Sequence, residues 1–224
     1  MLLGKSALER LSAARVAVFG IGGVGGYVVE VLARSGVGAI DIIDKDVVDV
    51  TNINRQIIAL HSTVGQPKVE VARRRILDIN PACCVFAYEA FYLPENADTF
   101  DFTQYDYVVD CVDNVTAKID IICRCQALHV PLLSCMGAAN KMDATAFRVA
   151  DISQTNMDPL AKIIRKKLRK LGITHQQVVY SEEMPLTPVE TRFNAQIRPI
   201  PASNAFVPAA AGLLAGSEVV KRLI

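Results

Sequence analysis

The stretch Arg15-Val-Ala-Val-Phe-Gly-Ile-Gly-Gly-Val-Gly25 decides the fold. Its first five residues are a short run rich in β-branched side chains, the pattern of a buried strand. The run flows into Gly20-Ile-Gly-Gly-Val-Gly25, which matches G-x-G-x-x-G, and Gly25 to Ser35 follows with Val28, Val29, Leu32 and Ala33 on one helical face. A strand, a glycine turn and a helix in that order form a nucleotide-binding elbow. Glycine allows a tight turn and close backbone approach, and the helix start offers unpaired N–H groups to an anion.

The alternation continues outward. Strands are predicted at Ala39–Ile43, Cys84–Tyr88, Tyr107–Cys111 and Pro131–Cys135, with helices over Pro67 to Ile79 and Val115 to Leu128 between them. Such alternation predicts an α/β, Rossmann-like, mostly parallel sheet with helices on both faces. Beyond Gly137 the pattern weakens to strands at Phe147–Ala150 and Gln177–Tyr180 around a basic helix. Pro185 to Pro201 reads as a loop, and Val207 to Ile224 as an apolar helix closing a small C-terminal extension. At 224 residues, without repeats or a low-complexity linker, residues 1–224 are expected to form one domain.

Composition narrows the function. The chain is 51% hydrophobic with a net charge of +1, giving no broad electrostatic case for nucleic acid or membrane. No apolar run approaches the ~20 residues of a membrane span. The N-terminus is too short and charged for a signal peptide, so a cytoplasmic protein is expected. Cys83, Cys84, Cys111, Cys123, Cys125 and Cys135 contain no C-x-x-C pair for zinc, and Cys111 and Cys135, at the ends of apolar runs, read as small buried hydrophobes rather than catalytic thiols. His61, His129 and His175 are too scattered to argue for hydride chemistry.

Gly20, Gly22, Gly23 and Gly25 alone fit either a dinucleotide or ATP, with Asp44 at the end of the second strand placed to accept from ribose hydroxyls. Asp44-Lys-Asp46, Thr51-Asn-Ile-Asn-Arg-Gln56 and Lys68 favour ATP, because a triphosphate calls for the paired donors of Arg55 and the point charge of Lys68. Asp110 and Asp113 follow the fourth strand, so they reach the same edge, where a carboxylate suits Mg²⁺. Read singly, each is as well explained by a surface charge or a helix cap. Their order along one sheet edge makes the case.

These residues resemble the superfamily of ubiquitin-activating enzymes and their bacterial relatives, the ThiF family. Gly20-Ile-Gly-Gly-Val-Gly-Gly26, Asp44-Lys-Asp46, Asn52-Ile-Asn-Arg-Gln56, Lys68 and Asp113-Asn114 carry the likeness. The resemblance implies carboxylate adenylation, with Asp44 and Asp46 at the nucleotide and Asn52, Asn54, Arg55, Gln56 and Lys68 around the phosphates. Asp113, beside Asn114, would position Mg²⁺. Ser134–Asp143, Phe147–Ile152, Asp158–Ala161, Val178–Glu182 and Phe206–Pro208 further resemble one branch, the tRNA threonylcarbamoyladenosine dehydratases. That branch implies ATP-dependent cyclisation of the threonylcarbamoyl group on tRNA and a homodimer.

Other readings remain: an activator of a ubiquitin-like sulfur carrier, an NAD-dependent oxidoreductase, or a nucleotide-binding protein without catalysis. Sulfur-carrier activators commonly carry two C-x-x-C pairs and a downstream acceptor Cys, and this chain has no Cys after Cys135. Some dehydratases carry a cysteine near the position of Ala202 or Ser203; catalysis here is expected to be cysteine-independent. Relatives also carry residues ahead of Leu3-Gly4, including an Arg for the dimer mate's triphosphate, to which Arg10 does not align. In the basic helix, Leu160, Ile163, Ile164, Leu168 and Leu171 are the expected buried stripe. Lys162, Arg165, Lys166, Arg169 and Lys170 are then either a solvated face or, given a tRNA substrate, its phosphate contacts.

Overall fold

The computed structural model describes residues 2–190 and 201–224. Strands β1 (Arg15–Phe19), β2 (Ala39–Ile43), β3 (Cys84–Tyr88), β4 (Tyr107–Asp110), β5 (Leu132–Cys135), β6 (Phe147–Asp151) and β7 (Gln177–Ser181) form one sheet in the order β3-β2-β1-β4-β5-β7-β6. All neighbours are parallel except β6 with β7. The chain leaves β1 for β2 and β3 on one side, then returns to place β4 on the other side of β1. Between the carboxyl ends of β1 and β4 lies the switch point at which such sheets bind ligands.

The side-chain alternation of each central strand feeds two cores. Val16, Val18, Ile40, Ile42, Val109, Leu133 and Val179 pack on one face, with α2 (Gly25–Arg34), α3 (Lys68–Ile79) and α6 (Val207–Leu223). Ala17, Phe19, Val108, Leu132, Val178 and Tyr180 pack on the other, with α4 (Val115–Leu128) and α5 (Pro159–Lys170). Aromatic side chains after β3 thicken this second core, Phe102 stacking on Phe19 with ring centroids 5.6 Å apart. The terminal helix packs closely on α2. A Cβ at Gly212 would lie 2.3 Å from the Val24 carbonyl oxygen, and one at Gly216 2.6 Å from Val31 Cβ, so only glycine permits this approach.

Several details differ from the sequence reading. Helix α1 (Lys5–Ala13) was not anticipated, because it buries only Ala7 and Leu11, too few apolar positions to show a period. Pro67 caps α3 from outside instead of occupying its first turn. In α5 the buried stripe is Ala161, Ile164 and Leu168, whereas Ile163 and Leu171 are 47% and 58% exposed and Leu160 is half-buried. Ile163 sits about 100° around the helix from Ile164, off the contact face. The Pro185–Pro201 loop is irregular through Glu190, and its residues 191–200 lie outside the described residues.

Ion pairs with buried carboxylates brace the sheet and the loop after β5. Asp41, fully buried in β2, receives two hydrogen bonds from the Arg15 guanidinium at 2.8 and 2.9 Å, which raises the Arg15 pKa. Lys141 donates to Gly137 O at 2.8 Å and to Asp158 at 3.1 Å, holding the loop after β5 against the start of α5.

Candidate active site

The elbow after β1 is built by close contact. Gly20 has φ +87, the left-handed region that favours glycine, and a Cβ there would lie 2.8 Å from Cys111 O at the end of β4. At Gly25 a Cβ would stand 1.8 Å from the Gly20 carbonyl oxygen, so the first turn of α2 folds directly onto the end of β1. Gly22 is different: its nearest neighbour in the Cβ direction is Gln56 Nε2 at 3.9 Å, and the residue is half-exposed. Gly22 therefore faces the crevice.

Asp44, at the end of β2, braces that turn. One carboxylate oxygen accepts from the Ile21 N–H at 2.7 Å and the other from the Asp46 N–H at 2.9 Å. The Lys68 ammonium is 2.8 Å from Asp46 and 4.0 Å from Asp44 and is almost fully buried. Its backbone N–H also donates to Asp46 O at 2.9 Å, so the first residue of α3 is fixed to the segment after β2. The intervening chain brings Asn52–Gln56 across the elbow. Gly23's Cβ direction meets Arg55 Cγ at 3.5 Å, while the Arg55 guanidinium donates to Thr51 O at 2.8 Å and Asn54 Oδ1 at 2.9 Å. Asn52 is buried and its Oδ1 accepts from the Asp49 N–H at 3.1 Å, closing the short turn Val50–Asn52. Asn54 donates to Ser203 O at 3.1 Å, drawing the segment before α6 to the same rim.

Asp44, Arg55 and Gln56 thus lie against the glycine elbow at the switch point, and Lys68 is linked to it through Asp44. The chemistry there suits a nucleotide triphosphate, with open backbone at Gly22 and the Arg55 side chain against Gly23, while the buried Gln56 Oε1, which lacks a protein hydrogen-bond partner, calls for a donor such as a ribose hydroxyl or base N–H rather than a phosphate. At the β4 edge the expectation divides. Asp113 is exposed on the loop that follows β4. Asp110 is not: it is fully buried, 2.7 Å from the Lys118 ammonium and 2.6 Å from Ser134 Oγ, because its side chain points into the second core and burial requires a charge partner. Asn114 caps α4, its Oδ1 accepting from the Thr116 and Ala117 N–H groups at 2.9 and 3.0 Å. Among the described residues no three His, Cys, Asp or Glu side chains cluster as a metal cage. A single carboxylate beside phosphate oxygens fits Mg²⁺, which keeps much of its water, and does not fit zinc.

Cys111 Sγ and Cys135 Sγ are 3.7 Å apart below the elbow, and this contact together with burial pushes the Cys111 thiol well above its usual range. On α5, Lys162, Lys166, Arg169 and Lys170 are exposed. Arg165 stands apart: half-buried, it donates to Thr155 O at 2.9 Å and to the Thr155 hydroxyl, fastening the helix to the turn before it.

The sequence reading passed over Lys118. A signal existed: it occupies the apolar stripe of α4 with Ala117, Ile121, Ile122 and Cys125, where a lone lysine implies a buried partner.

Comparison with known proteins agrees with this geometry. The model of the ThiF family matches residues 1–224. A tRNA threonylcarbamoyladenosine dehydratase of Bacillus subtilis is 49% identical over all of this chain and 92% of its own length. The crystal structure of E. coli tRNA N6-threonylcarbamoyladenosine dehydratase in complex with ATP superposes with a TM-score of 0.90 at 36% identity, covering 99% of this chain and 90% of that one. A molybdopterin-synthase adenylyltransferase of Salmonella typhimurium is 40% identical over 60% of this chain and 53% of its own. Fold, crevice and likeness together place the chain in the ThiF family, with the tRNA threonylcarbamoyladenosine dehydratases as its full-length relatives.

Proposed function

We propose that this chain is an ATP-dependent tRNA threonylcarbamoyladenosine dehydratase that activates its substrate as an acyl-adenylate. What supports the reading is an elbow open at Gly22, braced by Asp44 and flanked by Arg55 and Lys68, in a chain 49% identical to a dehydratase over its full length. A carboxylate is a poor electrophile because its leaving group is oxide or hydroxide. Attack of the threonyl carboxylate on the α-phosphate of ATP forms a mixed anhydride and releases pyrophosphate. Arg55 and Lys68 neutralise charge that develops on the phosphates during that in-line displacement. Asp113 would hold a Mg²⁺ ion, which would supply Lewis-acid stabilisation of the same charge. The carbamoyl group of the same substrate then attacks the activated carbonyl, a carbamoyl N–H proton passes to solvent, AMP leaves with one former carboxylate oxygen, and the ring closes. An intramolecular nucleophile has a high effective concentration, so no cysteine is needed, in keeping with the raised pKa of Cys111.

The exposed cations of α5, Lys162, Lys166, Arg169 and Lys170, are the proposed contacts for tRNA phosphates; Arg165 serves mainly to anchor the helix. The remaining assignments follow the family: residues 1–224 act as one adenylating unit, as a homodimer, in the cytoplasm. Among the described residues no helix is long and apolar enough to cross a membrane. The sulfur-carrier reading is weaker, since its nearer relative matches only 60% of the chain. ATP–pyrophosphate exchange separates the readings. Stimulation by tRNA bearing threonylcarbamoyladenosine is expected, and stimulation by a carrier protein instead would overturn the assignment.

A further inference from the structure

Lys118 is fully buried, and so are its partners Asp110 and Ser134. The register of the sheet sets Asp110 opposite Ser134 on β5, and Lys118 reaches both from the first turns of α4. Its ammonium donates to Asp110 Oδ2 at 2.7 Å, to Cys135 O at 2.9 Å and to Ser134 Oγ at 3.4 Å. Each N–H therefore has an acceptor, and the carboxylate of Asp110 takes a further bond from Ser134 Oγ at 2.6 Å. A charge pair removed from water in this way is costly to build, and the hydrophobic alternative is often as stable. Fold stability alone does not explain why a lysine stands here.

Its position does. The second oxygen of Asp110 accepts from the Val112 N–H at 3.1 Å, fixing the turn that leads to Asp113. That turn is held at its other points too: the Cys111 N–H donates to Phe19 O at 2.8 Å, and Asn114 caps α4. Cys111 O and Val112 N are also the atoms that press on Gly20, at 2.8 and 3.2 Å from where its Cβ would be. One buried network thus sets the height of the Asp113 loop against the phosphate elbow.

We propose that Lys118 is a positioning residue for metal–nucleotide binding: by neutralising Asp110 and clamping it between β4 and β5, it presents Asp113 to the metal ion of bound ATP. The idea rests on the proposed ATP and Mg²⁺ reading of this crevice. The test is the dissociation constant of ATP measured by calorimetry in Mg²⁺ and in EDTA, for the wild type, Lys118→Met, Asp113→Ala and the double variant. The ratio of the two constants isolates the metal's share. Loss of an outer partner typically lowers metal affinity about 10- to 100-fold. Lys118→Met is expected to reduce the ratio about tenfold or to unity, whichever comes first. Asp113→Ala should do the same, and the double variant should fall no further. A purely structural lysine would weaken both arms equally and leave the ratio intact; that result overturns the proposal. Should Lys118→Met fail to fold, Asp110→Asn combined with Lys118→Met removes both charges together and is read the same way. A wild-type ratio of unity, or a ratio untouched by Asp113→Ala, would instead sink the metal reading itself and the proposal with it.

Discussion

Replacing Gly22 with alanine isolates the phosphate-binding role of the elbow from its folding role. A Cβ at this position meets nothing closer than 3.9 Å, and Gly22 is absent from the positive-φ glycines, so the folded chain accepts the methyl group. The expected change in stability is within about 0.5 kcal/mol. The methyl group projects toward Gln56, into space that a phosphate oxygen must enter to reach the backbone N–H groups. Losing one hydrogen bond to a charged group costs about 1.5–3 kcal/mol, or roughly 10- to 150-fold in affinity. Gly25→Ala is the contrasting control. Its Cβ would stand 1.8 Å from the Gly20 carbonyl oxygen, so α2 must shift and stability should fall by about 1–3 kcal/mol or more. Urea unfolding and ATP calorimetry on both variants separate the effects. If Gly22→Ala binds ATP as tightly as the wild type, the elbow does not cradle phosphate and the reasoning fails.

Lys68→Met should lower kcat/KM for pyrophosphate exchange about 10²-fold or more, because a cation in place before the displacement costs no reorganisation; a change under about threefold would remove Lys68 from the chemistry. Lys166→Glu with Arg169→Glu should raise the KM for tRNA and flatten its salt dependence by about 2 in log–log slope, leaving ATP affinity unchanged; an unaltered slope would free α5 from the tRNA footprint. Alkaline pH offers a stability test. Burial raises Tyr107 to about 12 and moves Tyr92 and Tyr105 up as well, above the usual phenol value of about 10. Their neutral forms stabilise the fold fully below pH ~10, and that contribution fades as pH climbs from the unfolded value toward the folded ones. Melting temperature should drop across that window, with tyrosinate absorbance appearing only on unfolding; ionisation of these rings in the folded state would contradict their burial.

The order of elements was legible because β1, β2 and β4 are apolar runs ended by glycine or aspartate, and local chemistry fixes such ends. So was the crevice. Gly20–Gly25, Asp44, Arg55 and Lys68 lie far apart in sequence, yet the alternation of strand and helix delivers each to a carboxyl edge. What could not be read locally were the charges whose meaning depends on a partner. Asp110 and Asp113 sit three residues apart and look alike in sequence, but the strand's alternation turns Asp110 inward to Lys118 while the loop leaves Asp113 in solvent. The same holds for Asp41, which reads as an interruption in an apolar strand until Arg15 is found against it. Arg165 belongs to a basic run by composition and to the packing of α5 by contact.

The central claim is a chemical one, and product analysis meets it directly. tRNA carrying threonylcarbamoyladenosine is incubated with the protein, ATP and Mg²⁺, then digested to nucleosides for mass spectrometry. The account predicts a nucleoside lighter by one water, formed only with ATP and matched by equal amounts of AMP and pyrophosphate. An unchanged threonylcarbamoyl nucleoside under conditions where ATP binds would contradict it.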